Sequence, residues 1–373
     1  MTAQLAHATA ILGLGCLLGL APCAHAQPVA LAAQRPAAKS NEPASVRPLD
    51  VPLEAEQFEE SRSVHGIRCA VRIHGQGTPG HRAAIGKALA EIERVLRDLV
   101  FATRTNQIHS INANADRDEV VVDGETGALL QHAIDVCRRT GGAYDPTVAT
   151  FDYLWNFAHR PFVAPLPAEL QTRKAIAGCK HMVIKHNTVV RLLQRGMRVT
   201  LRHVAKGYAL DRAAQLLREH GLQDFRVQVD RHVYVQGRTG TRHWYAVAPH
   251  PRDPDHAMGQ LYLGSHAAVT RSDTDAFVLK AGRRYHDVLD PRSGAPASGV
   301  VQATVIAADP SLAAMWAEAL FVLGAKAGMA LMAKERNVEG FVVDATGRVA
   351  ASKGMADLAR LPLRVDVGEA GGP

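Results

Sequence analysis

Two hydrophobic periods alternate without a fixed repeat along this chain, and together they leave few architectures open. Ile85, Leu89, Ile92, Leu96 and Leu99 recur every three or four residues with Glu91, Glu93, Arg94 and Arg97 between them, which predicts an amphipathic helix over Ala83–Val100. The same reasoning predicts helices over Glu125–Arg139, closed by Gly141 and Gly142, and over Gly207–His220, with Gly221 just beyond its end. A fourth is expected over Ser311–Leu323, between Pro310 and Gly324, and a short fifth near Ala327–Lys334. Strands are expected where the period shortens: Phe225, Val227 and Val229 alternate, as do Val233 and Val235, while Val300–Ala307 and Phe341–Val343 are strand-forming runs. Helices and strands mixed in this irregular way predict an α+β fold, read here as two subdomains around a cleft. With 373 residues, 47% of them apolar, the chain is long enough to bury at least one full core. The 43 Lys and Arg outnumber the 36 Asp and Glu, but the basic residues are scattered and aromatics make up only 5% of the chain, so no nucleic-acid partner is expected.

The ends of the chain read differently from its middle. Ala8–Leu20 is apolar but too short to cross a bilayer, and Ala24-His25-Ala26 stands before Gln27 as a small-x-small cleavage pattern. Residues 1–26 therefore read as a secretory signal peptide, although Met1–His7 contains no Lys or Arg. Residues 27–60 carry Pro28, Pro36, Pro43, Pro48 and Pro52 and read as a Pro-rich linker; residues 61–355 form the folded body and 356–373 a loose tail. No further long apolar run is expected to span a membrane, so the mature chain is expected to be exported. Leu20-Ala21-Pro22-Cys23 raises a lipid anchor at Cys23, with Pro22 where a small flexible residue belongs, so any membrane attachment is expected through lipid alone. Cys69, Cys137 and Cys179 remain beyond the signal; they permit one disulfide with one thiol left over, and buried single cysteines are the plainer expectation.

The chain has no phosphate-binding Gly-x-x-x-x-Gly-Lys loop, no His-Glu-x-x-His and no Gly-x-Ser-x-Gly. Four separated segments stand out instead: Gly141–Val148, Val204–Asp211, Leu289–Gly294 and Ala319–Gly324. In their order and spacing they resemble the ApbE family, the FAD:protein FMN transferases, over about Val64–Val349. The resemblance implies an ApbE-like fold with a flavin-binding cleft between its subdomains. It also implies a periplasmic enzyme that takes FAD as substrate, uses Mg²⁺ on the pyrophosphate, and transfers FMN to a Thr or Ser hydroxyl of a periplasmic flavoprotein acceptor, releasing AMP. Such phosphoryl transfer needs positive charge on the pyrophosphate oxygens, a base near the incoming hydroxyl and close backbone approach to phosphate. Carried over position by position, Ala143, Tyr144 and Asp145 line the flavin, and Thr200, Lys206 and Val288 contact FAD. Lys206 lies near a predicted helix N-terminus, where the macrodipole disfavours a cation, so a phosphate partner is the favoured reading.

The departures fall where the resemblance implies chemistry. The catalytic His of the family pattern is Asp287 here, with His286 one residue earlier, so Asp287, or His286 if the strand bulges, is the candidate base. Two helix positions four apart that would carry metal-binding Asp and Thr or Ser are Ala314 and Glu318. Of these only Glu318 offers a hard oxygen ligand, with the backbone carbonyl of His203 as the third candidate. An Asp-Leu-Gly-Gly-Ile-Ala-Lys-Gly pattern becomes Thr200–Gly207 with Arg202 and His203; Asn-Leu-Gly-Gly-Asp becomes Gln228–His232 with Arg231; Ala-Thr-Ser-Gly-Asp becomes Val269–Asp273. Two readings stay open at this stage. One is a flavin transferase with a rearranged site; the other is a catalytically degenerate relative that binds flavin or a partner in a periplasmic redox system.

Overall fold

The computed structural model describes residues 56–100, 106–157, 161–253 and 255–367. The expected signal peptide with Cys16 and Cys23, most of the expected linker, and the last six residues lie outside them.

One eight-stranded sheet organises the fold. Its spatial order is Gln57–Val64, Ile67–His74, Phe225–Val229, His232–Gln236, Ala267–Ser272, Val300–Ala307, Val338–Asp344 and Val349–Ala351. Every neighbouring pair is antiparallel. Period-2 alternation gives the sheet two apolar faces. Phe225, Val227, Val269, Ala303 and Val305 point into the larger core, beneath the helices Pro79–Leu99, Arg202–Glu219 and Pro310–Met332. Val233, Val235, Ala268, Val301 and Ile306 point to a second core on the other face, covered by the Tyr245–Pro249 and Ala257–Tyr262 hairpin and by the C-terminal segment. A three-stranded sheet (Val120–Val121, Val189–Leu192, Met182–Lys185) belongs to a smaller lobe, and Val190, Leu192 and Met182 join it to the larger core.

Local chemistry starts the helices where the structure has them. The first runs Pro79–Leu99, four residues earlier than its apolar period suggests, because Thr78 accepts from His81 N at 3.2 Å and Pro79 stands at the first helical position. Asp123 caps Gly124–Arg139 by accepting from Thr126 N at 2.6 Å, and Asp309 caps Pro310–Met332 through Ser311 N and Leu312 N. Gly221 takes φ +82° just after the Arg202–Glu219 helix, as its place in the sequence predicts. Gly324, at φ 71° and ψ −176°, breaks the Pro310–Met332 helix into the two segments read from the sequence.

The structure corrects four expectations. The first strand begins at Gln57, inside the stretch read as linker, because residues 57–64 pair in full register with Ile67–His74. The tail is packed through Val367: Met355, Ala359 and Val367 are buried in the second core, and Arg348 and Arg364 form a bridge. The Pro310–Met332 helix is itself long and apolar enough to cross a membrane, a run the sequence reading passed over; it is the central core helix of the larger cluster. Finally, two of the three cysteines are not single: Cys137 and Cys179 form a disulfide, and Cys69 alone is a buried free thiol.

Candidate active site

The helices Arg202–Glu219 and Pro310–Met332 cross in close contact because both carry small residues at the crossing. A Cβ on Gly207 would lie 2.3 Å from Pro310 O and 2.8 Å from the Ala314 Cβ. One turn onward along the second helix and one turn back along the first, Glu318 meets His203, as antiparallel helices require. The His203 Nδ1 to Glu318 Oε1 distance is 2.9 Å, and His203 Nε2 faces an Arg202 amino group at 3.1 Å. Arginine can only donate and carboxylate only accept, so these partners assign the Nδ1–H tautomer.

The other Glu318 oxygen belongs to the sheet. Arg271 stands in phase with Ala267 and Val269, whose side chains enter the larger core, so alternation turns its guanidinium towards the same helices. Its Nε donates to Glu318 Oε2 at 2.6 Å, one terminal nitrogen to Asp275 Oδ2 at 3.1 Å, and the other approaches Asp287 Oδ1 at 3.5 Å. Arg231 pairs with the remaining oxygen of Asp275. Burial alone would raise the Glu318 carboxyl, but Arg271 and His203 outweigh it and hold it at about 2. The same burial works against the Arg271 charge, and Glu318 and Asp287 more than restore it.

Around this centre the sequence-predicted residues fall into two groups. Tyr144, Thr200, Lys206, Asp287, His203 and Glu318 are brought to one region. Thr200 N donates to Pro146 O at 2.9 Å and joins the first motif segment to the second, while the Thr200 hydroxyl accepts from Arg202 N at 3.1 Å and opens the helix. Burial raises the Tyr144 phenol well above its ordinary value, helped by the negative charge of Glu318 and Asp145. Lys206 donates to Asp230 Oδ2 at 2.7 Å, so its place near a helix N-terminus is already compensated by a carboxylate and does not by itself require a phosphate. Burial would raise Asp230, yet Lys206 and Arg231 hold it far below the usual carboxylate range.

The second group turns inward. Asp145 accepts from Thr147 N and Cys179 N, each at 2.8 Å, and so caps a short 3₁₀ turn beside the Cys137–Cys179 bridge. Its carboxyl is raised by burial, only partly offset by those amides. Ala143 and Val288 are fully buried, and Val288 O accepts from Ala297 N. His286 faces away from Asp287, as neighbours in an extended chain do. Its Nε2 lies 3.0 Å from Ala297 O, its ring stands edge-on to Phe321, and burial lowers its pKa. No bulge turns it back, and of the two candidate bases only Asp287 reaches the charged centre.

The donor set does not fit a divalent cation. Both Glu318 oxygens are taken by protein donors, one of them the His203 imidazole, and Ala314 has no ligand atom and is packed against Gly207, which leaves the His203 backbone carbonyl as the one oxygen of the expected set not held by those contacts. Arg271, Asp275 and Asp230 were not among the residues read as functional. The available signal was Arg271 itself, a charge in phase with apolar Ala267 and Val269.

Antiparallel sheet, crossing helices and a buried ion-pair network gathered from five separated segments define an α+β protein with a preorganised polar site at a helix crossing. A profile of the ApbE family matches residues 65–342, and the chain belongs to that family. Among curated relatives, an FAD:protein FMN transferase of Treponema pallidum is 28% identical over 329 residues, covering 82% of this chain and 89% of the relative. One of the same name from Vibrio cholerae is 28% identical over 250 residues, covering 65% and 75%. Among solved structures, the ApbE protein of Thermotoga maritima superposes with a TM-score of 0.75 at 26% identity, covering 82% of this chain and 99% of that one. The flavin transferase ApbE from Vibrio cholerae, at 23% identity and a TM-score of 0.71, shares the fold.

Proposed function

We propose that this chain is a flavin transferase that takes FAD as donor and passes FMN to a Thr or Ser hydroxyl of an exported flavoprotein acceptor. The acceptor oxygen attacks the phosphorus of the FMN half, the pyrophosphate P–O bond breaks, AMP leaves and the hydroxyl proton passes to Asp287. The observation that carries this reading is the convergence of Tyr144, Thr200, Lys206 and Asp287 on the Glu318 centre, in a chain whose curated relatives are named for that transfer. Lys206 and the Arg271 edge supply positive charge for phosphate, and Asp287 is the carboxylate placed to receive a proton. Mg²⁺ has no part in this scheme, because the residues present do not fit it. Export to the periplasm is part of the proposal, supported by the composition of residues 1–26 and by the Cys137–Cys179 disulfide, a bond that persists in oxidising compartments.

Incubation with FAD and an acceptor domain bearing a Thr flavinylation site tests the reading. AMP release and a fluorescent acceptor band that survives denaturation are expected, both lost in Asp287→Asn. A second reading, flavin binding without transfer, is favoured by one observation: His286, the histidine next to the candidate base in the chain, is locked into the core. Flavin binding with no AMP from any acceptor would select it.

A further inference from the structure

We infer that Arg271 is the resident cation of this site, and that the site admits phosphate-bearing ligand without a divalent ion. The first half stands on geometry alone; the second rests on the reading of the chain as an FAD binder. Arg271 lies among three carboxylates from three different parts of the fold. Glu318 comes from the core helix, Asp275 from the turn after Arg271's own strand, and Asp287 from the residue after the Arg283–His286 strand. Three acids converging from separate elements would repel one another if nothing lay between them, and what lies between them is a guanidinium. Its planar fork suits this better than a lysine would, since each nitrogen addresses a different carboxylate. The side chains are well covered, at 12% exposed for Arg271 and 5% for Glu318, so the pair is fixed in place and not a surface contact.

A divalent ion at Glu318 would have to displace both Arg271 and His203 and then sit beside the displaced guanidinium. The helix offers it no second oxygen, because the position one turn earlier is Ala314, sealed against Gly207. Arg271 also has something left to give. Of its five N–H groups, three face the carboxylates, and two have no acceptor among the described residues. Those two are of the right kind to donate to a phosphate oxygen, the contact a metal would otherwise make.

Mn²⁺ serves as the probe of the first half, followed by its electron paramagnetic resonance in EDTA-stripped full-length protein. The wild type is expected to bind no stoichiometric Mn²⁺. Arg271→Ala removes the guanidinium shared by Glu318, Asp275 and Asp287, leaving Asp275 to Arg231 and Glu318 to His203 alone, and is expected to gain a site at least about tenfold tighter than any in the wild type. That gain should vanish in Arg271→Ala combined with Glu318→Gln. The wild-type titration needs no variant to fold, so it decides even if Arg271→Ala does not. One Mn²⁺ bound per wild-type chain and lost in Glu318→Gln overturns the inference. For the second half, FAD quenching is titrated in EDTA and again in Mg²⁺; equal Kd values are expected, and an affinity raised about tenfold by Mg²⁺ overturns it. Absence of FAD binding in both buffers sinks the flavin reading and with it the second half, while the Mn²⁺ arm still judges the first.

Discussion

Asp145, expected to line the flavin, and His286, an expected alternative base, both spend their side chains on partners within the protein. Asp145 spends its carboxylate on the amides of Thr147 and Cys179. Asp145→Ala should therefore destabilise the protein by about 1–3 kcal/mol, since two buried amides lose their acceptor, a loss read from urea midpoints. His286 is held neutral by burial, below its ordinary 6.5. The unfolded chain therefore takes up the proton first as pH falls below 6.5, so stability present above that value is lost on acidification. Each such histidine contributes a slope of at most about 1.4 kcal/mol per pH unit. His232, lowered well below its ordinary value by burial and then by Lys206, acts in the same sense. Melting temperatures should drop between pH 7 and pH 5, and by less in His286→Asn, which keeps a donor for Ala297. Glu318 works at lower pH: its carboxyl, held at about 2 against an ordinary 4.5, contributes stability above 4.5 that is lost as pH falls towards 2. Asp230 shows what a lost glycine costs. It takes φ +58° in the two-residue turn between Val229 and His232, a conformation that disfavours a side chain by roughly 1–2 kcal/mol, and its ion pair with Lys206 opposes that cost.

The crossing of the Arg202–Glu219 and Pro310–Met332 helices sets the position of nearly everything in the site. Its tolerance is narrow because the first helix approaches the second through Gly207, where a Cβ would meet backbone at Pro310 that cannot move aside. Gly207→Ala is expected to destabilise the protein by about 1–3 kcal/mol and, by prising the helices apart, to lengthen the His203–Glu318 contact. A fall in melting temperature with weakened flavin binding would agree; an unchanged one would show that the helices can slide. The disulfide clamps a different pair of elements, joining the end of the Gly124–Arg139 helix to the Cys179–His181 turn across 42 residues of sequence. Replacing both Cys137 and Cys179 by Ser should cost roughly 4 kcal/mol if loop closure dominates. Non-reducing peptide mapping should recover the linked pair, with Cys69 labelled only after denaturation.

The molecule as a whole depends on covering both faces of one antiparallel sheet, and the C-terminal segment covers part of the second face. Ending the chain at Lys353 would expose Phe341 and Val343 and remove Met355, Ala359 and Val367 from the core beneath them. A loss of several kcal/mol, on the order of 3–6, is expected from the apolar area uncovered, measured by denaturant unfolding of the truncated chain. This packing was invisible in the sequence because residues 356–367 carry no periodic apolar face; their few apolar side chains are buried by a surface built from distant strands. By contrast, the helices from Ile85, Leu129, Leu210 and Leu320, the strands from Val227 and Val305, and the break at Gly324 were all legible. Local periodicity and capping suffice for those, since each depends on neighbours within a few residues. The four motif segments likewise carried the family. What the sequence could not contain was which charge meets which. Arg271, Asp275, Asp287 and Glu318 are separated by up to 47 residues, and only the crossing of the helices over the sheet brings them within hydrogen-bonding range. Electrostatic energy depends on distance through space, so residues that read singly as a lost catalytic base and a weakened metal ligand become, once folded, the partners of one buried arginine.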